Sequence, residues 1–131
     1  MTDLPQEAIP QLESILKAGT IAFGPAGFAG TIPDATQAYW RLLQAPYGVA
    51  LFRQCAESGN PTARLYGLMG LYQMDRPTYF DIAVHYRDDT SEVMYLRGCI
   101  GTAYTLNRLL AHLEAGQQEA DLFLDLSPES E

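Results

Sequence analysis

Asn60-Pro61-Thr62-Ala63-Arg64-Leu65-Tyr66-Gly67-Leu68-Met69-Gly70-Leu71-Tyr72-Gln73-Met74-Asp75-Arg76-Pro77 is the stretch that most restricts how this chain can fold. Asn60 is a good N-cap, and Pro61 suits the first helical position, where its missing N–H would have had no partner. Pro77 opposes continuation. Leu65, Leu68 and Tyr72 share one face at helical spacing and Tyr66, Met69 and Gln73 another, which leaves Arg64, Gln73 and the two ends as the wet positions. A helix apolar on most sides needs neighbours all round it, so the sequence predicts helix packed on helix about this axis. Gly67 and Gly70 inside it each cost about 1 kcal/mol relative to Ala. Close approach of a neighbouring helix or of the 20–33 connection is the plain reason for them; a slot for a ligand is the sharper one.

The rest of the chain supplies candidate neighbours. Ile9, Leu12, Ile15 and Leu16 predict an amphipathic helix from about Pro5 or Pro10 to Lys17, closed by Gly19. Residues 20–33 mix glycine, proline and aromatics without a helical period and read as a connection on the core surface, anchored by Phe23 and Phe28. Asp34 with Gln37 fits a capping box and opens a helix to Ala45, ended by Pro46. Tyr47 to Glu57 reads as the next helix, broken by Ser58-Gly59, and Pro77 opens another to about Arg87. Glu92 to Ile100 alternates without a clean polar face and is read as an extended connector, because no partner strand is apparent. The last helix is placed at Thr102 to Ala115, with Ala103, Leu106, Leu109, Leu110 and Leu113 inward and Gly116 as terminator.

The expectation is therefore an all-α domain of five or six helices in stacked antiparallel hairpins over residues 1–116, with an acidic tail at 117–131. Leu42-Leu43, Pro46-Tyr47 and Val49-Ala50 echo Leu68-Met69, Pro77, Tyr79 and Ile82-Ala83, which is compatible with a short HEAT-like or tetratricopeptide-like stack and equally with generic helical hairpins. At 131 residues there is room for one core. The longest apolar runs are far too short for a transmembrane span. Met1-Thr2-Asp3-Leu4-Pro5 lacks a basic start and an apolar centre, so the compartment reads as cytoplasmic by default, and exported or periplasmic if a signal peptide has been removed.

Three groups of residues also resemble a known pattern. Gly27-Phe28-Ala29-Gly30, then Ala63 to Leu71, then Arg97-Gly98-Cys99-Ile100 resemble the landmarks of a family of small bacterial proteins with no assigned function, over about residues 24–101. Members of that family often look like exported proteins or lipoproteins. The resemblance implies a helical fold and no catalytic residues.

Charge and chemistry narrow the function. The net charge is −8, of which Glu114, Glu119, Asp121, Asp125, Glu129 and Glu131 contribute six with no base among residues 114–131. The body carries ten acids against the 8 bases, seven of them scattered arginines, which argues against a nucleic-acid backbone as partner. Cys55 and Cys99 are too few and too far apart for a zinc knuckle; they read as buried free thiols, as one structural disulfide, or, last, as a catalytic Cys. His85 and His112 lack a second ligand at helical spacing, Asp88, Asp89 and Glu92 lack calcium-loop spacing, and Gly24, Gly27 and Gly30 lack the Lys-Ser/Thr of a phosphate loop, so no metal, cofactor or catalytic group is assigned. The tail holds Leu122, Phe123 and Leu124 between acids, either a linear motif for a partner or a turn that docks back on its own domain. The expected function is a protein-binding or scaffolding module. The alternatives are an immunity-type inhibitor of a basic toxin or enzyme, and, behind both, an enzyme built around His85 or His112.

Overall fold

Asn60 makes the predicted cap, and more. In the computed structural model, which describes residues 6, 8–24, 30–98, 100–117 and 122–123, the Asn60 side-chain oxygen accepts from the Thr62 N–H at 3.1 Å. Its amide nitrogen donates to the carbonyls of Leu16 at 3.1 Å and Ala18 at 2.7 Å, at and just past the end of α1 (Ala8–Leu16). One side chain thus starts α4 (Pro61–Met74) and finishes α1. The other helices are α2 (Asp34–Leu43), α3 (Gly48–Ala56), α5 (Arg76–Ala83), continued by a 3-10 turn at Val84–Tyr86, and α6 (Leu106–Glu114).

Thr62 to Tyr72 of α4 is buried except at Arg64, so the helix has neighbours on nearly every side. α3 comes closest. A Cβ at Gly67 would collide with the backbone of Ala56 and Phe52, and one at Gly70 with the Phe52 ring. The close-approach reading of these glycines is the one that the geometry supports, with α3 as the neighbour. Phe23, Tyr39, Phe52 and Tyr66 cluster around the contact with ring centroids 5.6 to 6.2 Å apart. Two of the hydroxyls there are paired with each other: Thr36 donates to the Ala22 carbonyl, which leaves Tyr66 to donate to Thr36 Oγ1 at 2.6 Å.

The chain is mostly helical but not purely so, and the difference lies at 92–105. The connector of the sequence reading is β1 (Glu92–Arg97), and the first turn assigned to the last helix is β2 (Ile100–Thr105). They pair antiparallel from Glu92 against Thr105 to Arg97 against Ile100 around a two-residue turn, where Gly98 takes φ +60°. The partner strand was hidden because Ala103 fits the inward stripe of α6 as well as it fits a strand. α6 begins only at Leu106 and ends at Glu114, with Gly116, the expected terminator, two residues on at φ +105°. Two caps also differ. Asp34 is the first residue of α2 rather than a side-chain cap, with Gln37 donating to the Ile32 carbonyl at 2.9 Å. α5 starts one residue before Pro77, capped by Asp75, whose carboxylate accepts from the Thr78 hydroxyl at 2.7 Å.

Leu122 and Phe123, assigned by sequence to the tail, are fully buried in the core. Phe28, Cys99, Leu124 and the other residues of 118–131 lie outside the described residues. Among the described residues no helix is long and apolar enough to cross a membrane.

Candidate functional site

Alternation along β1 determines what β2 offers to its surroundings. A strand residue points its N–H and C=O the same way, and its neighbour points them the other way. The Ile21 N–H donates to the Met94 carbonyl and the Leu96 N–H donates to the Ile21 carbonyl, each at 2.9 Å, so Met94 and Leu96 face the 20–22 segment. Val93, Tyr95 and Arg97 therefore face β2 and bond to Tyr104, Thr102 and Ile100, their partners in register. Gly101 and Ala103 are left with N–H and C=O directed away from β1. Among the described residues no strand pairs with that edge. Ile-Gly-Thr-Ala-Tyr-Thr has no charge and no proline, the usual guards against strand addition.

The two faces of the hairpin differ. Its outer face carries Met94, Leu96, Gly101 and Ala103, with Glu92 and Thr105 at the end away from the turn; Gly101 is where the Met94 and Leu96 side chains lie down, since a Cβ there would sit 2.9 Å from Met94 Sδ. Met94 stays 38% exposed, and Ile100, beside the turn, is 71% exposed. On the inner face Val93, Tyr95 and Tyr104 are buried, and the C-terminal turn closes it. The Phe123 ring stacks on Tyr95 at 3.9 Å and 11° and reaches Tyr104 at 5.3 Å, while the Phe123 carbonyl accepts from Arg97 at 2.8 Å. Leu122 and Phe123, the candidate partner contacts, are in this arrangement docked on their own domain.

Elsewhere two polar clusters are tied into structure. Arg64 holds Asp89 at 2.8 Å, and the Ser91 N–H donates to the same carboxylate at 2.8 Å. Burial pushes the Asp89 carboxyl up, but the Ser91 bonds and the Arg64 charge outweigh it and hold the group below the ordinary carboxylate range. The Tyr79 hydroxyl donates to Glu114 at 2.6 Å, and Arg87 pairs with the same carboxylate. Burial, then the Glu114 hydrogen bond and charge, push the Tyr79 hydroxyl up and keep it protonated. Cys55 is a free, fully buried thiol, pushed up to about 12 by burial. Cys99, the other half of the candidate disulfide, lies outside the described residues. His85 is exposed and His112 partly so, and among the described residues no group of three or more His, Cys, Asp or Glu is placed to hold a metal ion. An open hollow of about 510 Å³ lies between α1 and the α2–α3 turn, lined by Gln11, Arg41, Gln44, Ala45, Pro46 and Tyr47. It was not legible in the sequence, because Gln11 and Tyr47 are brought together only by the packing of α1 on α2.

Compared with known protein families, curated proteins and solved structures, the chain matches none of them.

Proposed function

We propose that this chain is a small protein-binding module whose contact surface is the free edge of β2 with the apolar outer face beside it. One observation carries the reading: Gly101 and Ala103 direct their backbone groups outward along an uncharged strand that nothing among the described residues pairs with. Strand addition draws affinity from main-chain hydrogen bonds and specificity from flanking side chains, here Ile100 and Met94. In this reading α2–α3 and α4–α5 form a short HEAT-like stack that holds the hairpin in place. The test replaces Ala103 by a photo-crosslinking residue, with Gln54 on the exposed side of α3 as control, and illuminates the chain in cells. A reproducible adduct from position 103 and none from 54 is the expected result; equal adducts from both positions overturn the reading.

The net charge of −8 favours a second reading, an inhibitor that blocks a basic cleft. Its complex would weaken steeply with salt, as a neutral strand edge would not, and the chain would rescue cells from a toxin encoded beside it.

A further inference from the structure

We propose that the occupant of the β2 edge is a second copy of this chain, added antiparallel across a two-fold axis at Thr102. The proposal rests on the reading of that edge as a contact surface and names the partner. Charge argues for it. The protein as a whole repels its own copies at −8, yet β2 carries no charge, so two copies can meet there without facing like charges and a charged partner finds nothing on the strand to read. Symmetry adds to this, because antiparallel pairing of one strand with itself is self-complementary without further adjustment.

The register follows from which groups point outward. Gly101 and Ala103 present the free N–H and C=O, so in a narrow pair each must face a residue of the same class. An axis at Thr102 sets Gly101 against Ala103 of the second copy, twice, and Ile100 against its Tyr104. An axis at Ala103 would set Ile100 against Leu106, where the chain has already turned into α6, and one at Gly101 would set Ala103 against residue 99, which precedes β2. Thr102 is therefore the centre. The same arrangement gives Ile100, the most exposed large apolar side chain described here at 71%, an aromatic neighbour across the seam. Six residues of edge bury far less than the roughly 1,200–2,000 Å² of stable complexes, so the dimer is a weak one, forming at roughly 0.1–1 mM.

Sedimentation equilibrium of the full chain up to about 1 mM is the test, beside Ala103→Pro, which removes one outward N–H, and Ala103→Lys, which sets charges across the seam. The expected result is a mass that rises with concentration from 14.5 kDa toward twice that value, while both variants stay at 14.5 kDa with unchanged thermal melts. Thr102→Cys in a Cys99→Ala background should give a disulfide-linked dimer on mild oxidation. A full chain that stays monomeric throughout, variants that associate like the parent, or association only after removal of residues 124–131 would each overturn the proposal, the last by making the chain's own tail the occupant. Position-103 adducts with another protein and no self-association would sink the second copy and leave the protein-binding reading standing; neither adducts nor association would sink both.

Discussion

The α3–α4 contact and the β1–β2 hairpin solve opposite problems with the same residue type. At Gly67 and Gly70 the missing side chain lets two helices touch until no space is left, and the backbone groups are all consumed within the helices. Gly101 in β2 instead leaves the outer strand thin and its backbone groups outward. The first region is closed on nearly every side, and the second is closed on its inner face by Phe123 and open along its edge. Stability is therefore concentrated in the helices, and the capacity to accept a partner in the hairpin.

Substitutions that attack the closed region should do the most damage. Gly67→Ala places a methyl against the backbone of Ala56 and should cost about 3–5 kcal/mol in urea melts. Gly70→Ala meets the buried Phe52 ring, a side chain rather than backbone, and should cost less, about 1–3 kcal/mol; the reverse order would mean that α3 and α4 are not packed as described. Phe123→Ala removes the ring stacked on Tyr95 and should cost about 3 kcal/mol, with a loss of near-ultraviolet tyrosine signal that spares the helical signal.

The link between the regions is smaller and depends on pH. Arg64 of α4 reaches Asp89, which leads into β1, and the Asp89 carboxyl is held below its usual range. Its stabilising effect is thus complete above the ordinary carboxylate value of about pH 4 and is lost as pH falls through the lower folded value. Asp89→Asn should lower stability by about 1–2 kcal/mol at neutral pH, a difference that closes on acidification; a gap that widens in acid would contradict the sign. Ala103→Lys, on the open edge, should change monomer stability by less than about 0.5 kcal/mol.

The closed region was legible in sequence because each local signal agreed with the next. Asn60 and Pro61 marked the start of α4, apolar residues on nearly all faces marked its burial, and two glycines within it required a close neighbour. The hairpin was masked by conflict among its signals. Met94 and Leu96 make the outer face of β1 apolar, which blurs the alternation of Val93 and Tyr95, and β2 is built of small residues that a helix also accepts. With β2 absorbed into α6, β1 had no partner to be recognised by. The Tyr79–Glu114–Arg87 chain was beyond reach for a different reason, since residues 35 apart meet only once α5 and α6 have packed.

Amide hydrogen exchange, resolved residue by residue by NMR, tests the central claim most directly. In dilute protein the account predicts slow exchange throughout the buried stretch of α4, protection at Thr102 and Tyr104, and fast exchange at Gly101 and Ala103, which slows as concentration rises. Equal protection of Ala103 and Thr102 in the dilute monomer would contradict an open edge.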